Sequence, residues 1–476
     1  MHKTTFTVAT LVALGAASIS CGGSDDATDS GSASPSPTAE IAPSTAPSTA
    51  SPDTVVESSP PTSDPTAGWQ QVVTDYCTEL YGGIAAVAPH DGSATDIVRF
   101  VDELDASAAA LPPGLDTIVV PADVQPAIDD AVTLLGDSAT ATGRARDAAA
   151  AGDLDEAYSK LGVAIDGINR TRGVLAMAGA ACDTADPERV AAASLNVPTE
   201  GNTFMINSGF GSIWASRNLD STVVRYDAST GDVIATIEVG PEPQKLQPAN
   251  GRMWVRTADR YVAIDPATNT VVDALDKSAV GPAANRSFAL DGAMWICDGS
   301  RLHRYDPTTL QLVATVELDI ECDEVFAADD LVVAYPTNDD PAQSGTSAAA
   351  FVDPASNQVI ATVDLPVDVG YPAVLDDAVF FPGESGSIAA VVDRGSWTVS
   401  ATPDLGRPSR MGLTATDGER IYVPLVGNLD VVVVDAETFN VVDTVETLGS
   451  IAVVVLDGSM WVADARYGLM QRHDVG

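Results

Sequence analysis

An all-α helical bundle followed by an all-β, seven-bladed propeller is the fold class that this sequence predicts, on three observations. Apolar residues recur at helical spacing from Trp69 to about Cys182. Beyond residue 190 a bulky residue in a short apolar strand recurs at Trp214, Trp254, Trp295, Val332, Phe380, Tyr422 and Trp461, in steps of 40, 41, 37, 48, 42 and 39 residues. An aspartate follows the same period at Asp227, Asp265, Asp306, Asp353, Asp393, Asp435 and Asp474.

Composition limits the function before any motif is read. The 476 residues hold 24 Lys+Arg against 67 Asp+Glu, a formal net charge of −43. Such a field repels phosphate backbones and excludes nucleic-acid binding. Lysine occurs only at Lys3, Lys160, Lys245 and Lys277. The 45% apolar content is enough for real cores.

The first 20 residues read as a targeting segment, with Lys3 before an apolar run from Phe6 to Ala17. Ser18-Ile19-Ser20 ahead of Cys21-Gly22-Gly23 resembles a bacterial lipoprotein signal. That resemblance implies that Cys21 carries the lipid and anchors the chain to the outer face of the cell membrane. Contact with membrane is then expected only through this anchor. Residues 21–66, rich in Ser, Thr and Pro, hold too little apolar surface to offset ordering entropy and are expected to form a disordered tether.

Residues 67–185 are expected to form a four-helix bundle. Trp69, Val72, Val73, Tyr76, Cys77, Leu80, Tyr81 and Ile84 form the first stripe; Ile97, Val101, Leu104, Ala108 and Leu111 form the second. Val124, Ile128, Val132 and Leu135 open the third, and Leu154 through Leu175 carry the fourth. Short connections favour antiparallel neighbours. With Cys21 lipidated, four cysteines remain, an even number that suits an oxidising compartment and allows three pairings. Cys77 with Cys182 and Cys297 with Cys322 is favoured, because each pair then lies within one domain. Cys182 is placed on the last helix, and Cys322 at the start of the blade after that of Cys297.

Residues 190–476 are expected to form the propeller. Four short strands per 40 residues, parted by turns such as Asn250-Gly251, Asp291-Gly292, Asp417-Gly418 and Asp457-Gly458, are the pattern of propeller blades. The last repeat ends without an outer strand, and Val190–Val197 is expected to supply it and close the ring. Val239-Gly240-Pro241, Gly251-Arg252-Met253-Trp254-Val255 and Asp265-Pro266-Ala267-Thr268-Asn269 resemble the YVTN-type propellers, a group near the NHL and quinoprotein propellers. The resemblance implies the fold and leaves function open, because such propellers serve binding, sensing and catalysis. The recurrent aromatics are expected to fill the spaces between blades, and the recurrent aspartates to hold the turn that follows them.

In a propeller, the loops leading into inner strands and those between second and third strands share one face. That places Lys245, Arg286 and Arg410 around the channel mouth, with Gln244, Asn285, Glu324 and Tyr371 beside them, as the candidate ligand-binding set. Three gathered cations favour an anionic or polar ligand; the same cations can instead pair with Asp323 and Glu324. Residues 336–347 insert into the same face.

The expected function is an envelope-anchored binding or scaffolding module, a monomer that takes a protein, glycan or small polar ligand and needs no cofactor or metal. The alternative is a secreted, metal-dependent enzyme like the streptogramin-inactivating lyase. Against it, the propeller's histidines, His303 and His473, fall in third strands away from the channel, and no G-x-S-x-G, HExxH or phosphate loop is present. The bundle, which feeds an outer strand, is expected on the face opposite the channel mouth.

Overall fold

The structure, a computed structural model, describes residues 66, 68–87, 93–109, 114–280, 288–328, 330–336, 347–383, 386–407, 412–426, 428–449, 451–464 and 466–475. Cys21 and the tether lie outside them, as do Asn285, Arg286, Arg410 and residues 337–346 of the insertion.

Four long helices precede the sheet region among the described residues: α1 (Trp69–Ala85), α2 (Ala94–Ala109), α3 (Gln125–Ala151) and α4 (Leu154–Met177). Helix α3 ends at Gly152 in the left-handed conformation, φ 83°, which a glycine adopts without strain. The Asp153 carboxylate then accepts the Glu156 N–H and starts α4 at once. The tight hairpin presses Gly167 against α3, where a Cβ would meet the Ser138 hydroxyl at 2.3 Å. Trp69, Val73, Tyr76, Leu80 and Tyr81 of α1 are buried with Leu175 and Ala180. Val72, expected on the same stripe, is exposed. Among the described residues no helix is long and apolar enough to cross a membrane.

The Cys77–Cys182 disulfide closes this unit. Constraining the 105-residue separation is worth about 4–5 kcal/mol on chain-entropy grounds. Cys182 is not on the last helix, as the sequence suggested. The helix stops at Met177, Gly179 turns with φ 95°, and Cys182 bridges to Ala185 beyond it.

Seven antiparallel sheets follow. The first holds Thr203–Gly209, Ser212–Arg217, Thr222–Asp227 and Val233–Glu238, in sequence order from the channel outwards. The others repeat it, and the last is completed by Leu195–Pro198, paired antiparallel to Leu469–Asp474. This joins the two ends of the propeller segment and seals the ring. Second and third strands are buried on both sides, so Val431 to Val434 can be a run of four valines. Trp214, Trp254, Trp295 and Trp461 are fully buried in the cores.

The closing strand is shorter than the expected 190–197. Asp186 caps a short helix, α5 (Pro187–Ala192), by accepting the Glu188 N–H at 2.8 Å, and Pro187 suits the first turn because its missing N–H needs no partner there. Val190 then packs with Leu448, Tyr467 and Leu469 instead of extending the sheet.

In the third blade, Ala293–Tyr305 is one segment that doubles back. Extended, Trp295 and Arg304 would stand roughly 30 Å apart, yet the Arg304 guanidinium lies 5.4 Å from the Trp295 ring. Cys297 pairs with Cys322 as expected. Cys322, however, ends the outer strand Leu312–Cys322 of the same sheet, opposite Gly299, and does not open the next blade.

Candidate functional site

The channel-mouth face carries the helices. The Asn202 N–H, just before the first inner strand, donates to Asp166 of α4 at 2.7 Å. Leu219, between second and third strands of the first blade, lies against Gly162 of α4. Tyr467, in the matching turn of the last blade, bonds Thr184 at 2.7 Å. Arg189 of α5 donates to the Leu429 and Thr447 carbonyls at 2.8 and 3.0 Å and to the buried Asp430 carboxylate at 2.9 Å. All these loops belong to the mouth face, so the expectation of a bundle on the opposite face is overturned. The outer strand does start from the far side, but α5 and the residues after it carry the chain down to that point. The bundle can therefore remain on the mouth, over the first, sixth and seventh blades.

The second blade presents the candidate residues. Gln244 N–H donates to the Arg256 carbonyl and Arg256 N–H to the Lys245 carbonyl, at 2.8 and 2.9 Å, which extends the ladder of Leu246–Ala249 and Arg252–Arg256 up to the mouth. Lys245 Nζ lies 3.1 Å from the Val325 carbonyl and 3.5 Å from Glu324 Oε2. That contact passes from the second blade to the fourth, spanning the mouth. The pairing with Glu324 anticipated as the alternative for Lys245 is thus formed. The Gln244 side chain accepts from the Arg256 guanidinium, and Tyr371, leading into the fifth blade, lies within electrostatic range of Arg256.

Four of the seven candidates, Gln244, Lys245, Glu324 and Tyr371, are therefore gathered; the other three are outside the described residues. Two cations join them that the sequence reading did not single out. Arg256 stands at the mouth end of its strand. Lys277 follows the outer strand Thr270–Asp276, gives Nζ–H to the Ala258 carbonyl at 3.1 Å and lies 5.8 Å from the Tyr261 ring centroid. Lys277 had one legible signal: with Lys245 it is one of only four lysines, and both fall in segments that lead into inner strands.

Burial sets the electrostatics. It pushes the Lys245 ammonium below the usual lysine range, with Glu324 acting against the shift and Arg256 adding to it. Burial likewise lowers Arg256. Lys277 is pushed down to about 7, by burial first and Arg256 second.

The histidines lie elsewhere. His303 Nδ1 is 3.0 Å from the Thr315 hydroxyl and Nε2 3.5 Å from the buried Asp298, inside the third blade. Burial lowers His473 to about 4. Among the described residues no group of three or more His, Cys, Asp or Glu side chains is placed to hold a metal ion. The recurrent aspartates other than Asp474 hold their turns: Asp227 accepts the Ser229 and Thr230 N–H groups, Asp306 those of Thr308 and Thr309, and Asp435 that of Thr438.

No known protein family and no curated protein matches the chain in sequence. Solved structures similar in fold include Kuenenia stuttgartiensis hydrazine synthase, 15% identical, with a TM-score of 0.48 over 58% of this chain and 97% of that one. BamB from Moraxella catarrhalis is 16% identical, with a TM-score of 0.43 over 56% and 83%.

Proposed function

We propose that this chain is an extracytoplasmic binding and scaffolding module of the cell envelope, anchored through Cys21, whose working surface is the part of the mouth face beside the second to fifth blades. The observation that carries this reading is the arrangement of that face. The described bundle contacts fall on the first, sixth and seventh blades, while Lys245, Arg256, Lys277 and Glu324 converge beside them. Concave polar sites of this kind, framed by rigid strands, suit a small polar ligand, a glycan or a protein loop. The two disulfides support export, as does the targeting segment ahead of Cys21. The YVTN-like turn motifs support kinship with that propeller group.

Two measurements test the reading. Labelling with a palmitate analogue in a bacterial host should mark the wild-type chain and not Cys21→Ala. Hydrogen exchange of the mature chain, run against acidic and neutral oligosaccharides and short peptides, should show protection in 241–246, 256–259, 277–280 and 323–325 with at least one of them. Protection confined to the outer strands, or none anywhere, refutes the assigned surface.

A further inference from the structure

On the first, fourth and sixth blades a threonine of the outer strand stands opposite a buried aliphatic of the third strand: Thr236 opposite Val224, Thr362 opposite Ala350 and Thr444 opposite Val432. The third blade keeps the threonine, Thr315, and puts His303 where the aliphatic stands elsewhere. A polar ring buried in such a position costs free energy unless it is bonded, and this one is bonded at both ends. His303 Nδ1 is 3.0 Å from the hydroxyl of the exposed Thr315, and Nε2 is 3.5 Å from Asp298, which is 3% exposed. A carboxylate only accepts, so in the neutral ring Nε2 carries the proton and Nδ1 offers its lone pair to the hydroxyl.

The surroundings suit a reaction at that hydroxyl. Arg301 lies two residues before His303 on the same face and reaches Asp298 with one terminal nitrogen. Its side chain is 46% exposed, so other N–H groups of the fork stay open beside Thr315. Tyr305, on the other side of His303, packs with Leu275 of the second blade, so this face is turned to the cleft where the two blades part. Leu312 and Val313, both exposed, precede Thr315 on the outer strand. Glu317, exposed and cross-strand from Arg301, disfavours an acidic substrate there.

We propose that Thr315 is a nucleophile that accepts an acyl group from a neutral, activated short-chain ester, with His303 as its base and Asp298 positioning the ring. The site stands on the outer part of the third blade and is independent of the mouth-face reading. Thr315 Oγ1 attacks the carbonyl carbon while His303 Nδ1 takes the hydroxyl proton, and Arg301 faces the oxyanion that forms. The bond to the leaving oxygen then breaks, that oxygen takes the proton back from Nδ1, and the acyl group stays on Thr315 as an ester. Leu312 and Val313 give the acyl chain an apolar bed.

The test incubates the full chain with p-nitrophenyl acetate and p-nitrophenyl butyrate, follows release of p-nitrophenolate, and maps the adduct by mass spectrometry of acid-quenched digests. The expected result is a burst equal to the chain's concentration, with the acyl group on Thr315. Thr315→Val, which keeps the side chain's shape, should abolish that adduct, and His303→Gln should slow its formation about 100-fold or more. A downfield imidazole N–H proton resonance, from Nε2–H held against Asp298, should be present in the wild type and in Thr315→Val. Asp298→Asn should lose the resonance and most of the acylation together; loss of the resonance with acylation unchanged would remove Asp298 from the assignment. A burst alone makes Thr315 an acyl acceptor, and continued turnover that Thr315→Val abolishes makes it an esterase site; either supports the proposal. Acyl groups found only on lysines, or equal release by the wild type and Thr315→Val, would overturn it. If His303→Gln does not fold, as judged by circular dichroism, Thr315→Val decides alone.

Discussion

The guanidinium of Arg225 lies 5.0 Å from the centroid of the Trp214 ring and reaches past it into the next blade. There it donates to the Pro266 carbonyl at 2.6 Å and to Asn269 Oδ1 at 3.0 Å. Arg304 repeats the arrangement over Trp295, towards Pro354 and Asn357 at 2.9 Å each. Arg472, cross-strand from Trp461, donates to the Ala228 and Ser229 carbonyls and so ties the last blade to the first. Asn269 and Asn357 sit at φ 55° and 57°, a left-handed conformation that asparagine tolerates and that turns their side chains towards the arginine.

The Arg225 and Arg304 latches combine a cation–π contact with charge-assisted hydrogen bonds. Arg225→Ala should therefore destabilise the propeller by about 2–3 kcal/mol, read as a shift in the urea midpoint. Arg225→Lys should recover only part of this, because an ammonium cannot stack on the indole and fork to two acceptors at once. Equal stability of all three proteins would show that the latches add nothing.

The turn aspartates give the chain an acid limit. Asp227, Asp306, Asp353, Asp393 and Asp435 are held below the usual carboxylate range, chiefly by Ser or Thr hydroxyls and turn N–H groups. A depressed folded-state pKa contributes stability above the unfolded value, near pH 4, and loses it as pH falls through the folded value. The melting temperature should drop steeply below about pH 4. Asp353→Asn with Asp393→Asn should lower it at neutral pH and flatten that drop. An unchanged acid profile in the double variant would assign the acid limit to other groups.

The ring was legible because every blade meets the same packing problem and answers with the same residues: Trp254 and Trp461 between sheets, Asp265 and Asp435 at turns. The position of the bundle was not. It depends on pairs such as Asp166 with Asn202 and Arg189 with Asp430, far apart in the chain and without a period that would reveal them. One clue was in reach: Asp186-Pro187-Glu188 is a helix start just ahead of the stretch read as a strand. At the mouth, Lys245 was legible from its scarcity and its loop. Arg256 was not, since nothing in Met253-Trp254-Val255-Arg256 distinguishes a buried arginine from an ordinary strand end.

The Arg189–Asp430 junction should be a strong point of the docking. Asp430 is 1% exposed and pairs with both Arg189 and Arg407. Removing Arg189 takes a donor from the Thr447 carbonyl, while that of Leu429 keeps the Thr447 N–H and hydroxyl, and leaves Asp430 with a partner that is 54% exposed. Arg189→Ala should cost about 2–3 kcal/mol, and calorimetry should then resolve the bundle melting ahead of the propeller. Arg407→Ala should have a smaller effect, because Arg189 still satisfies the carboxylate. The opposite ranking would place the holding force in Arg407.

Gly173 gives the sharpest test of where the bundle sits. It lies on α4, facing the last blade, where an added Cβ would stand 2.0 Å from the Tyr467 carbonyl oxygen and 3.1 Å from Leu469. A backbone carbonyl held in a turn cannot move aside as a side-chain tip can, so Gly173→Ala must push the bundle off the mouth face or strain the turn. Overpacking of this kind costs about 1–3 kcal/mol, against a helix-propensity gain of up to about 1 kcal/mol. Gly143→Ala is the matched control: it lies in α3 with nothing within 4 Å of its added Cβ, so only the propensity gain remains. Gly143→Ala should raise the melting temperature. Gly173→Ala should lower it and speed protease cleavage in the connection at 178–186. Stabilisation by both substitutions would mean that α4 does not rest on the last blade, and the placement of the bundle on the mouth face would fall with it.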